Sequence, residues 1–129
     1  MQIVADSSVL LAVALNEPEK PRLIAATTGH ALLAPPILPF EIGNALSAMV
    51  RREVLSAAQA LAAWDVAQRI FVALRDIDVR AALGIATRFR VYAYDAYFLE
   101  CALRWRCPLL TLDRGMQRIA AQLSISLVE

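Results

Sequence analysis

The sequence predicts an α/β fold: a parallel β-sheet flanked by helices on both faces, with residues 1–129 forming one domain. Three observations predict it. Short apolar runs at Gln2–Ala5, Ala31–Ala34 and Pro108–Leu112 read as buried strands. Longer stretches with apolar residues at helical spacing separate them, and strands alternating with helices pair in parallel. Two acids, Asp6 and Asp113, directly follow such runs. In open parallel sheets, ligands bind at the carboxyl edge of the strands.

Each element has a local reason. Gln2-Ile3-Val4-Ala5 is short, apolar and β-branched, hence a strand. Asp6-Ser7-Ser8 offers side-chain oxygens to free N–H groups, and a helix over 9–15 follows. Asn16-Glu17-Pro18 ends it, Pro18 opens a helix to about Thr28, and Gly29 closes that one. Ala31–Ala34 is the second strand. Pro35, Pro36 and Pro39 lead into a helix over 40–52. Ser56 caps a helix over 57–73, in which Leu61, Trp64 and Ala67 recur at helical spacing. A weak strand over 74–77 precedes a helix from Asp78 to about Phe89. Asp95 starts the next helix, to about Arg106. The strand 108–112, a helix over 114–122 and a terminal strand over 124–128 complete the chain.

Composition excludes several function classes. The chain is 59% hydrophobic and 19% charged, against about 25% charged in an average domain. The excess is Ala and Leu at helical spacing, which predicts a helical shell with apolar surface for a partner. A net charge of +1 rules out a polycation, so nucleic-acid binding must rest on local basic patches. Cys101 and Cys107 form no Cys-x-x-Cys pair and His30 is the single histidine, which disfavours zinc; the cysteines read as reduced core residues. The four glycines form no phosphate-binding loop. Lys20 is the only lysine, so the late lysine of a phospho-receiver is absent. The start lacks the basic region of a signal peptide, and no stretch reaches the roughly 18 uninterrupted apolar residues of a spanning helix. The expected location is the cytoplasm, without membrane association.

Four carboxylates stand in otherwise apolar stretches: Asp6, Glu41, Asp95 and Asp113. An ionised carboxylate is costly to desolvate unless it is paired or binds a cation. Hard oxygens suit Mg²⁺ or Mn²⁺, and a bound ion lets all four ionise together. Such an ion suits phosphodiester hydrolysis. Ser7, Ser8, Asn44 and Thr111 lie near the acids and can orient them or a metal-bound water. Taken singly, each acid has a plainer reading. Asp6 and Asp95 can be helix caps, Asp113 a turn residue and Glu41 a solvated first-turn acid. Their coincidence is what points to a site. Glu100 is rotated by about 140° from Asp95 on a helix, so it is left out of the ligand set.

The motifs Val4-Ala5-Asp6-Ser7-Ser8-Val9-Leu10, Pro39-Phe40-Glu41-Ile42-Gly43-Asn44-Ala45-Leu46, Tyr94-Asp95-Ala96-Tyr97-Phe98-Leu99-Glu100-Cys101-Ala102 and Leu110-Thr111-Leu112-Asp113-Arg114 occur in this order. In order and spacing, the chain resembles a PIN domain over nearly its whole length, most closely the VapC-type toxins of toxin–antitoxin pairs. The resemblance implies a metal-dependent endoribonuclease that uses Mg²⁺ or Mn²⁺ and cuts RNA, often tRNA or rRNA. Asp6, Glu41, Asp95 and Asp113 match the family's acidic quartet. Ser8 and Thr111 match its supporting hydroxyls, and Asn44 matches a frequent polar neighbour of the glutamate. Many relatives carry a further acid soon after the last aspartate, but here Gly115, Met116 and Gln117 follow Arg114, which bears on a second metal. The implied chemistry is in-line attack by water, leaving 5′-phosphate and 3′-hydroxyl ends.

For RNA contacts the expected cations are Arg114, Arg51 and Arg52, with Arg88, Arg90 and Arg118 also near the acids. Tyr92, Tyr94 and Tyr97 can stack on bases, Tyr97 being better suited to core packing. The Ala- and Leu-rich helices around Met49 and Trp64 suit either a docking groove or ordinary burial. The resemblance implies a homodimer and a small antitoxin whose tail fills a groove near the site. The competing reading is a catalytically inactive PIN-like interaction module.

Overall fold

The structure is a computed structural model that describes residues 1–129. Its elements are β1 (Gln2–Ala5), α1 (Ser7–Ala14), α2 (Lys20–Thr27), β2 (Ala31–Ala34), α3 (Leu38–Arg51), α4 (Ala57–Gln68), β3 (Val72–Leu74), α5 (Val79–Phe89), α6 (Ala93–Trp105), β4 (Leu109–Leu110) and α7 (Arg114–Gln122). The four strands form one sheet in the order β3-β2-β1-β4, and every pairing is parallel. Val4 is paired with Leu33 on one side and Leu109 on the other, so β1 lies in the middle.

The strand order explains where the helices lie. From β1 to β3 the chain steps in one direction, and right-handed crossovers place α1 to α4 on one face. After β3 the chain returns past β1 to β4, so α5 and α6 cover the opposite face. The direction reverses between β1 and β4, where the neighbouring carboxyl ends leave a crevice. Asp6 follows one of these strands and Thr111 the other.

A core of 27 buried residues joins the sheet to both layers. It includes Ile3 and Val4 from β1, Leu10 from α1, Leu33 from β2, Leu46 from α3, and Phe98 and Leu99 from α6. Ala82 and Ala86 of α5 and Ala96 of α6 form a separate small cluster. Their short side chains let these helices approach closely. Both cysteines are free and buried. They sit at the C-terminal turn of α6, where Cys107 N–H donates to Ala102 O and Arg106 N–H to Leu103 O, a Schellman closure. No helix is long and apolar enough to cross a membrane.

Several boundaries differ from expectation, and the strand expected over 108–112 is confined to Leu109–Leu110, since only these residues pair with β1. Helix α4 stops at Gln68, five residues short of the expected end, because β3 pairs with β2 from Val72 onward and takes over that segment. The third strand is therefore Val72–Leu74 instead of 74–77. Helix α6 begins at Ala93, so Asp95 sits inside its first turn and Tyr92 takes the cap position. The terminal strand contracts to one bridge, Leu109 to Leu127. Residue pattern alone does not distinguish a ladder from a single contact at a sheet edge.

Candidate active site

Asp6 is buried, at 4% exposure, directly after β1. It caps α1: Oδ1 accepts from Ser8 N–H at 3.1 Å and Val9 N–H at 3.4 Å. Two hydroxyls complete its shell. Ser8 Oγ donates to Oδ1 and Thr111 Oγ1 to Oδ2, each at 2.5 Å. Both hydroxyls also accept backbone donors, Ser8 from Leu112 N–H at 3.1 Å and Thr111 from Asp113 N–H at 3.0 Å. Ser8 and Thr111 thus tie the turn after β4 to the end of β1 across the crevice. Burial holds the Asp6 carboxyl above the usual carboxylate range, while its four hydrogen bonds pull the other way.

The other acids come from three different helices. Glu41 stands in the first turn of α3, and its Oε1 accepts from Ser7 Oγ at 2.5 Å. Burial raises its affinity for a proton, Ser7 lowers it, and the charges of Asp6 and Asp95 raise it again; the net shift is upward. Asp95 is shifted upward by burial first, then by Asp113 and Asp6. A carboxylate in a helical first turn normally gains from the helix dipole. At Asp95, burial and like charge outweigh that gain. Asp113 caps α7, its Oδ1 accepting from Met116 N–H at 3.1 Å. A methyl at Gly115 would stand 3.1 Å from that same oxygen, so the bare glycine leaves the carboxylate room.

The four acids therefore feel one another's charge, and no lysine or arginine is among the causes that shift Asp6, Glu41 or Asp95. As the side chains stand, no three of them come close enough to share one ion directly. Asp6, Glu41 and Asp113 are each held by hydrogen bonds, whereas Glu41 and Asp95 feel the charge of neighbouring acids. The cap reading holds for Asp6 and Asp113, which cap α1 and α7, and capping leaves both carboxylates in the acidic group. The donor set still fits a hard divalent cation: oxygen ligands only, an excess of negative charge, and hydroxyls that orient the carboxylates.

The remaining expected residues differ in their distance from the acids. Asn44, one turn along from Glu41, is exposed and lines a small cavity beside it. Arg114 and Arg118 are exposed on α7 next to Asp113. Arg51 and Arg52 lie at the far end of α3, roughly 15 Å along the helix from Glu41, so they are removed from the acids. Arg51 donates to Ser47 Oγ at 2.9 Å. Glu100 faces away from the quartet and accepts from Asp78 N–H at 2.9 Å at the start of α5. Phe40 was not anticipated as part of this region. It is 73% exposed and lines the cavity with Tyr94; its only sequence signal was an aromatic beside the Glu41 acid.

The profile of the PIN domain matches residues 3–122. The chain is 31% identical over 111 residues to the VapC ribonuclease Mb0985 of Mycobacterium bovis, covering 86% of this chain and 85% of that protein. The same figures hold for ribonuclease VapC9 of Mycobacterium tuberculosis. Among solved structures it is similar to PAE2754 from Pyrobaculum aerophilum, with a TM-score of 0.69 and 25% identity, covering 92% of this chain and 84% of that one. It also shares the fold of VapBC2 from Rickettsia felis bound to a DNA fragment from their promoter. That match has a TM-score of 0.66 and 12% identity over 98% and 97% of the two chains. A four-stranded parallel sheet with an acidic crevice at its switch point, together with a profile match over nearly the full length, shows that this chain belongs to the PIN domain family.

Proposed function

We propose that the protein is a Mg²⁺- or Mn²⁺-dependent endoribonuclease, the toxin of a toxin–antitoxin pair, working in the cytoplasm on tRNA or rRNA. The observation that carries this reading is the convergence of acids at the crevice: burial shifts Asp6, Glu41 and Asp95 upward, neighbouring acids add to the shift at Glu41 and Asp95, and no cationic side chain offsets it. The names of the VapC relatives support the choice of RNA.

Asp6, Glu41, Asp95 and Asp113 would hold the ion, partly through water, since Mg²⁺ usually retains several waters. When bound, such an ion neutralises phosphate charge and makes a water more acidic. The chain's own residues do the rest. Ser8 and Thr111 fix both oxygens of Asp6, so its orientation is set before substrate arrives. Ser7 holds Glu41 Oε1, which leaves Oε2 to accept a proton from the attacking water. Arg114 and Arg118 flank Asp113 and are placed to bind phosphates near the cut. Arg51 and Arg52 would touch the RNA backbone farther along.

For the antitoxin, we assign the groove between α3 and α4. It has a volume of about 690 Å³ and is lined by Phe40, Leu46, Val50, Leu61 and Trp64. Such a surface suits the apolar face of a peptide helix or tail. A homodimer is part of the same proposal.

The test is cleavage-site mapping on total RNA with wild type and Asp6→Asn protein, in Mg²⁺ and in chelator. Defined cuts are expected only from wild type with metal. Undiminished metal-dependent cutting by a folded Asp6→Asn protein would overturn the assignment.

A further inference from the structure

Two of the four acids have an aromatic residue immediately before them in the chain. Phe40 precedes Glu41 on α3, and Tyr94 precedes Asp95 on α6. These helices are distant in sequence, yet both rings face one cavity of about 150 Å³, lined by Ile37, Phe40, Glu41, Asn44 and Tyr94. Pockets for drug-sized ligands start at about 300 Å³, so this one is sized for a single ring system. Phe40 is 73% and Tyr94 53% exposed, a costly placement for two aromatic rings. The Tyr94 ring is braced edge-on by Tyr97, with centroids 6.1 Å apart and planes at 78°. Its orientation is therefore set in advance. Asn44 lines the same cavity and is exposed.

We infer that this cavity is a nucleobase subsite: it receives one unpaired base of the RNA next to the scissile phosphate, stacked between Phe40 and Tyr94 and read at its edge by Asn44. Several features favour a base over a peptide side chain. Every base offers a π-face, so stacking on aromatic rings is a general way to hold single-stranded nucleic acid. A side-chain amide presents a donor and an acceptor together, which matches a base edge. Glu41 joins the cavity to the acidic crevice, so a base held here places its own phosphate beside the carboxylates. The inference rests on the ribonuclease reading for the identity of its ligand.

The test uses single-stranded oligoribonucleotides carrying 2-aminopurine at each position in turn, bound to Asp6→Asn protein in Mg²⁺. Quenching at one position is expected, because stacking quenches this base. Phe40→Ala and Tyr94→Ala, each added to that background, should abolish the quenching and weaken binding about tenfold. Asn44→Ala should keep the quenching but flatten base preference among sequences retained from a randomised pool. In the cleaving protein, the aromatic variants should raise KM about tenfold and leave kcat within about twofold. Quenching that is absent, or that survives both aromatic substitutions, overturns the subsite even if wild type cuts RNA. Position-specific quenching lost in both variants supports the subsite even if wild type cuts nothing, an outcome that would remove the ribonuclease reading alone. A circular dichroism spectrum matching the parent protein establishes that each variant is folded.

Discussion

Asp6 shows how one side chain is recruited for two tasks. As a helix cap it accepts from Ser8 and Val9 backbone groups, a contribution of about 1 kcal/mol in typical helices. As a member of the acidic set it carries charge into a buried crevice, which opposes folding. Asp95 has the second burden without the cap, and burial, Asp113 and Asp6 all shift it upward. A carboxyl with a raised folded pKa binds more protons in the native than in the unfolded chain. Stability from this source falls as pH rises from the ordinary carboxylate value towards the folded one, and the penalty is complete above it. Asp95→Asn should therefore raise Tm by a few degrees in metal-free solution at neutral pH while abolishing cleavage. Well below the ordinary carboxylate value, where the group is protonated in both the folded and the unfolded chain, the gain should shrink; thermal scans at both pH values check it. An unchanged difference at the two pH values would argue against charge repulsion at this residue.

Helix α6 carries Asp95 at one end and a strained closure at the other. Arg106 adopts φ +53° and ψ +48°, the left-handed position that favours glycine after a helix. Its Schellman bonds are kept, so the chain accepts a non-glycine residue there. An L-residue in this region costs roughly 1–2 kcal/mol. Arg106→Gly should stabilise the protein by about 1 kcal/mol, measured by urea unfolding, with m unchanged. Because the turn leads through Cys107 and Pro108 into β4, the gain belongs to the element that aims Thr111 and Asp113. Helix α3 follows the same logic of position. Its first turn brings Phe40 and Glu41 to the crevice, and its later turns line the groove with Leu46 and Val50. One helix thus serves both the candidate chemistry and the candidate partner surface.

The whole molecule explains why the acids meet. They come from positions 6, 41, 95 and 113, and the reversal of strand order between β1 and β4 gathers them at one edge. The sheet and its core hold them against their repulsion. A divalent cation that binds the native crevice and not the unfolded chain should add stability by mass action. Mn²⁺ should therefore raise Tm at pH 7 and do so less at pH 5, where protons compete for the carboxylates. Differential scanning calorimetry with and without chelator reads this directly. Equal shifts at the two pH values would indicate binding elsewhere.

Much was legible before folding. Apolar runs marked β1 and β2, and Ser56 and Asp78 marked helix starts, because strand burial and end-capping depend on residues next to each other. The four acids were legible as well, since charge in an apolar stretch needs a reason wherever it lies. Other features required the folded chain. The end of α4 was settled by the pairing of β3 with β2, the shrinkage of the terminal strand by its place at the sheet edge, and the distance of Arg51 from Glu41 by the length of α3. The partnership of Ser7 with Glu41 and the cavity shared by Phe40 and Tyr94 are contacts between remote segments. Local composition reports what a residue prefers. Which distant residue it meets follows from the order in which strands assemble.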